Sequence, residues 1–284
     1  MHNPNLVFAR RPPQALSCTE IAAVLHALDP AELRSPVVRR VNARSFTTED
    51  VLGRLAVRLE RHGVVHRGTT SVIQLGARSA GIGMWLGEAS RAHVIVVDPE
   101  QQAIEQAMYA CGNFELEHFP SFQTAAYDRT QLATSCAHAV VSMEALYLAP
   151  YPDDALAEAH RLLDDGGLLM FDAYVAEADS CASGWVHALQ RAGFDLIDID
   201  DQTTAWRMVT RAQHVARLQY ATYLAERLGP RRAAQEIAAS KSMVAVLTTT
   251  RRIELVARRR KTRLARGSQR LVARTPVVSR TVRP

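Results

Sequence analysis

Short apolar runs alternate with amphipathic helical stretches through the middle of the chain. Six runs read as strands: SVIQLG (71–76), HVIVVD (93–98), FQTAAY (122–127), AHAVVSM (137–143), LLMFDAY (168–174) and DLIDID (195–200). The stretches between them carry helical periodicity. A helix is predicted from about Ala80 to Ser90, and a second over 99–112 with Pro99 in its first turn. Others follow over 153–167 and 184–194. Strands separated by helices at this spacing predict an α/β fold with a doubly wound, mainly parallel sheet.

The flanks differ. Residues 1–65 form a helical lead-in, with helices expected over 17–28, 29–42 and 47–64, the last capped by Thr47 or Thr48. After the core at 66–200, a helical segment over 201–248 is broken at Gly229-Pro230 and reads as a lid over a small-molecule pocket. RRIELVARR, within 249–261, is the closing strand, and 262–284 is a basic tail.

Charge sharpens this division. Arg258 to Pro284 holds ten basic residues and no acidic one, leaving 24 basic against 29 acidic residues elsewhere. The positive balance therefore belongs to the end of the chain, which suits either a solvated extension or contact with an acidic partner. It has no aromatic residue for base stacking, which argues against nucleic acid. The four cysteines (Cys18, Cys111, Cys136, Cys181) have no metal-ligand spacing and read as reduced thiols, so no metal site is expected. No apolar run reaches membrane-spanning length and the N-terminus lacks the apolar core of a signal peptide, so the chain is read as cytosolic. The sequence is compatible with a homodimer.

In an open α/β sheet the ligand site lies outside the carboxyl ends of the strands, where the strand order reverses. Here Gly76 to Gly81, Asp98 and the segment SMEALY (142–147) form that edge. Gly76 permits a sharp turn that aims backbone N–H groups at a ligand, and Asp98 can accept two hydrogen bonds from a ribose diol. Glu144 is the acidic side chain of the loop after strand four. It can act as a base, orient a hydroxyl or stabilise a cation, or else cap the following turn. Tyr147 either faces the pocket or packs.

Over roughly Thr48 to Arg260 the chain resembles the class I S-adenosylmethionine-dependent methyltransferases, small-molecule type. The resemblance rests on QLGARSAG (74–81), VIVVDPEQQAI (94–104), the segment from Ala139 to Tyr174 with its HRLLDDGG turn, and LQRAGFDLIDIDDQTTAW (189–206). It implies a seven-stranded sheet whose last strand is antiparallel, with S-adenosyl-L-methionine as cofactor and a small, fairly apolar metabolite as acceptor. It also implies cofactor contacts at Gln74, Gly76, Ala77, Arg78, Gly81, Asp98, Pro99, Asp128 and Ser142, and catalytic roles for Glu144 and Tyr147. A dinucleotide oxidoreductase is disfavoured because no GxGxxG falls in register.

The chain also departs from the family. Gln74 stands where an acid is usual, and Arg78 and Ala80 where glycines are. Leu148-Ala149 replaces a histidine, and no tyrosine precedes Tyr109. These departures keep a second reading open: a methyltransferase fold that no longer transfers methyl groups and instead catalyses a cyclisation, elimination or pericyclic step, or serves as a binding partner. His138, His187 and His214 read as helix or strand-entrance residues rather than bases, and Trp185, Trp206, Met208 and Tyr220 as pocket or core.

Overall fold

The computed structural model describes residues 24–25, 27–28, 35–41, 46–64, 70–77, 80–179 and 181–261. Most of the helix expected over 17–28, Arg78 and the tail at 262–284 lie outside the described residues.

Seven strands form one sheet in the order β3-β2-β1-β4-β5-β7-β6. They are β1 Ser71–Leu75, β2 His93–Asp98, β3 Ser121–Thr124, β4 Ala137–Ser142, β5 Leu163–Ala176, β6 Phe194–Asp201 and β7 Thr250–Arg259. β1 to β5 are mutually parallel, while β7 inserts between β5 and β6 and runs antiparallel to both. The order reverses at β1, whose neighbours are β2 on one side and β4 on the other.

Both faces of the sheet are covered, so its strands are apolar on both sides. On one face Val72, Val94, Val96, Ala139, Val141, Leu168, Met170 and Val256 meet three helices: α2 (Glu49–Arg61), α3 (Ala80–Ser90) and α4 (Gln101–Ala110). On the other, Ile73, Val140, Leu169, Phe171, Leu255 and Ala257 pack with α5 (Pro152–Leu162) and α6 (Ser183–Arg191). Within each strand, successive residues go to opposite clusters, which is the two-residue period of the pleat.

Three boundaries differ from the sequence reading. β5 begins at Leu163, so DDGG belongs to the strand, and Gly166 takes φ +85° there. Pro99 precedes α4, whose cap position is Glu100. The segment after β6 is three helices, α7 (Thr203–Gln219), α8 (Ala221–Leu228) and α9 (Pro230–Ala245), with a second break at Tyr220. Ordinary helix formers flank that break, so no glycine or proline marked it in advance.

The lead-in docks on the edge that the motifs define. α1 (Pro36–Val41) lies against the first turn of α3, held by the Arg40–Glu88 pair at 3.0 and 2.9 Å. The fit requires glycine at position 81, where a Cβ would fall 1.9 Å from the Val41 carbonyl oxygen. Gly81→Ala is therefore expected to lower stability by about 1–3 kcal/mol, read as a fall in Tm. Gly112→Ala, which would meet nothing within 4 Å, should leave Tm nearly unchanged. Equal melting of the two variants would show that the α1–α3 contact does not form in solution.

Candidate active site

Two clusters occupy the carboxyl edge of the sheet. The first is built on Asp98, the last residue of β2, which is buried. Its Oδ2 accepts the Ala77 N–H at 2.7 Å and the Tyr127 hydroxyl at 3.2 Å, and its Oδ1 accepts the Glu100 N–H at 2.8 Å. One carboxylate thus joins the turn after β1, the start of α4 and the segment after β3. Gly76 makes the turn possible with φ +101° and donates its own N–H to the Val97 carbonyl at 2.8 Å. Ser142 ties the end of β4 to the same point, its hydroxyl donating to the Leu75 carbonyl at 3.2 Å.

Gln74 is fully buried beneath this turn, and its amide donates to the Leu75 carbonyl at 3.2 Å. The room for it comes from α3, where a Cβ at Gly83 would approach the Gln74 side chain to 2.8 Å. Other sequence-predicted contacts lie elsewhere. Asp128 is exposed in the turn after β3, and its neighbour Tyr127 is the residue that reaches Asp98. Pro99 is exposed, Gly81 faces α1, and Arg78 lies outside the described residues.

The second cluster surrounds a buried arginine. Arg252, on β7, is 4% exposed; its Nε and Nη2 donate to Asp172 Oδ2 at 2.9 and 2.7 Å, and Nη2 also reaches Glu144 Oε1 at 3.0 Å. Glu144 Oε1 in turn accepts the Phe46 N–H at 2.7 Å, and the Glu144 N–H donates to Asp172 Oδ1. Glu144 adopts φ +60°, a conformation held here by bonds at both its backbone and its side chain. Burial alone would lower the Arg252 pKa, but Asp172 and Glu144 outweigh it and hold the guanidinium charged. Glu144 is thus a neutralised clamp between lead-in, β4 loop and β7. Tyr147 packs edge-on against Tyr174 at 4.8 Å, and burial pushes both phenols well above their usual range.

Beside Arg252 the pleat aligns three acids across three strands: Asp172 on β5 pairs with Glu254 on β7, which pairs with Asp200 on β6. Arginines from α2 answer them. Arg58 bonds Glu254 Oε1 and reaches Asp198 at 2.7 Å, and Arg54 sits 3.1 Å from Asp200. A cavity of about 10 Å³, room for about one water, is lined by Phe46, Thr48, Met143, Trp206 on α7, Asp172, Arg252 and Glu254 among others. Trp206 is thus the one of the four sequence-singled residues that reaches it. Trp185 packs on Phe171, and Met208 and Tyr220 are exposed.

Of the named histidines, His138 accepts the Ser71 N–H at the opposite edge, His187 is exposed, and His214 pairs with Ser240 between α7 and α9. The sequence reading missed Tyr127, Asp172, Arg252 and Glu254. The last three had a visible signal, a charge inside an apolar strand run.

Residues 73–171 match the model of a methyltransferase domain. A putative sarcosine dimethylglycine methyltransferase from Galdieria sulphuraria superposes with a TM-score of 0.67, at 11% identity over 76% of this chain and 86% of that one. The chain has the class I methyltransferase fold. The [4+2]-cyclase SpnF has the same fold, with a TM-score of 0.66 at 17% identity over 86% of this chain and 93% of its own. A methyltransferase from Thiobacillus denitrificans, solved with S-adenosylhomocysteine, gives a TM-score of 0.57 at 11% identity over 80% and 99% of the two chains. No curated protein matches the chain in sequence. Among the described residues of this methyltransferase-fold chain, no helix is long and apolar enough to cross a membrane.

The acid row has a consequence for stability. Burial, aided by repulsion from Asp200 and Asp172 and opposed by Arg58 and Arg54, pushes the Glu254 carboxyl up to about 7 from an ordinary 4.5. The folded state therefore holds a proton that the unfolded chain has already lost. The Glu254 contribution to stability is complete below about pH 4.5 and declines as pH rises to about 7, by up to ~3 kcal/mol. Denaturant titrations of the native chain and Glu254→Gln across this range should give a difference that shrinks or reverses with rising pH. A pH-independent difference would contradict the raised pKa.

Proposed function

We propose that the chain is an S-adenosylmethionine-dependent methyltransferase acting on a small metabolite, with the cofactor along the edge from Gly76 through Asp98 to Ser142. The observation that carries this reading is the Asp98 carboxylate. It sits at the end of β2, next to the reversal of strand order, and touches the turn after β1.

The residues fit the nucleoside end of such a cofactor. A carboxylate has about four acceptor positions and Asp98 uses three, so one further donor is accommodated directly. A diol that presents two donors displaces the longest existing bond, from Tyr127 at 3.2 Å. The amino-acid end meets Gln74, which supplies an amide where a carboxylate would attract an ammonium group. Affinity on this reading comes mainly from Asp98, the glycine turn and apolar contact.

When bound, the cofactor supplies an activated methyl group on sulfur. The chain's contribution is to hold the acceptor in line and keep water out, so proximity provides much of the rate. Helices α7 to α9 and the lead-in cover the acceptor side, with Trp206 and Phe46 as walls of the cavity there. Glu144, neutralised by Arg252 and the Phe46 N–H, keeps that cover closed rather than moving protons.

Calorimetry with S-adenosylmethionine and S-adenosylhomocysteine tests the reading. Binding on the order of −8 kcal/mol, a micromolar Kd, is expected for the native chain. Asp98→Ala should weaken it at least about a hundredfold, the equivalent of two charge-assisted hydrogen bonds. Tyr127→Phe should retain or improve binding by freeing an acceptor position. Absence of binding to the native chain at millimolar ligand would overturn the proposal and leave a methyltransferase fold put to another use.

A further inference from the structure

Glu254 is fully buried, and its Oε2 has no hydrogen-bond partner. The Trp206 indole Nε1 is likewise buried and has none. Both residues line the same cavity, which also touches Met143, the residue after Ser142 on the proposed cofactor edge. The neighbouring charges are already engaged: Arg252 with Asp172 and Glu144, Arg58 with Glu254 Oε1 and Asp198.

In its ionised form, which prevails above about pH 7, Glu254 Oε2 is an acceptor, and this unmatched acceptor together with the unmatched Trp206 donor defines the group that completes the cavity. It must donate one hydrogen bond and accept another. An ammonium group cannot accept, and a carboxylate or ketone cannot donate. A neutral amine can do both, but the lone pair that meets the indole is then no longer available to attack. A hydroxyl meets both demands and keeps a second lone pair. Its size matches a cavity of about 10 Å³.

We infer that this cavity seats the hydroxyl of the methyl acceptor, an alcohol or phenol, with its O–H on Glu254 Oε2 and its oxygen on the Trp206 N–H. The inference rests on the methyltransferase reading and names its acceptor class and base. On transfer, the acceptor oxygen forms a bond to the methyl carbon as the carbon–sulfur bond breaks, its electrons returning to sulfur. The acceptor proton passes to Glu254 Oε2, from which solvent later removes it. The general base is then Glu254 on β7, a residue the loop motifs do not include, and not Glu144.

The test uses 19F NMR titration of the full chain with 4-fluorophenol, 4-fluoroaniline and fluorobenzene, each with and without saturating S-adenosylhomocysteine. The phenol is expected to bind at least tenfold more tightly than either analogue. Glu254→Gln and Trp206→Phe should each erase most of that preference, the second variant guarding against misfolding of the first. In the native chain with S-adenosylmethionine, a panel of phenols should yield methyl ethers while the matching anilines yield no product. Equal binding of phenol and fluorobenzene, or a preference that survives both substitutions, would reduce the cavity to a water site and overturn the inference. Because S-adenosylhomocysteine binding is scored separately, its failure would strike the methyltransferase reading, while its success with no phenol preference would strike this one alone.

Discussion

The guanidinium of Arg252 is the interaction on which the second half of the site depends. It is a buried charge, which only close pairing can stabilise. Its partners come from separate parts of the chain: Asp172 from β5 and, through Glu144, the loop after β4 and the backbone of Phe46. Removing the charge would leave Asp172 and Glu144 as unmatched acids. Packing alone cannot replace such a joint, because an apolar side chain would not satisfy the two carboxylates. The joint therefore fixes where the lead-in meets the sheet, and with it one wall of the cavity.

Asp98 plays the corresponding part on the other side of β1. Asp98 ends β2 and Asp172 lies within β5, and both fasten loops. They differ in what they leave available. The bonds at Asp98 come from two backbone N–H groups and a phenol, of which the phenol's, the longest at 3.2 Å, is the one an incoming hydroxyl can displace. Those at Asp172 come from an arginine and hold firm. One cluster can thus open to a ligand while the other stays shut.

Much of the fold was legible because its strands are buried on both faces and read as unbroken apolar runs. The antiparallel last strand followed from the family resemblance. The second cluster was not legible, for a geometric reason. Asp172, Glu254 and Asp200 are distant in sequence and become neighbours only because β7 enters between β5 and β6 in a particular register. A shift of one residue would turn Glu254 to the other face. Similarly, Asp128 and Tyr127 were equally placed by spacing after β3, and only the turn's direction puts the phenol rather than the carboxylate at Asp98. The clamp role of Glu144 was hidden because its partner at Phe46 is a backbone N–H, which no side-chain pattern records.

The late position of β7 also bears on how the molecule comes into being. Arg252 lies 80 residues after Asp172 and 108 after Glu144, and β7 is the last strand among the described residues. During synthesis from the N-terminus, β1 to β6 emerge with Asp172 and Asp200 facing a gap where β7 will lie. Until that strand arrives, β5 and β6 expose open edges, and the acids between them favour hydration over burial. Closure thus waits on long-range pairing, the slow kind of contact in folding. In a nascent chain this keeps the Arg252 side of the sheet open and wet until β7 locks it.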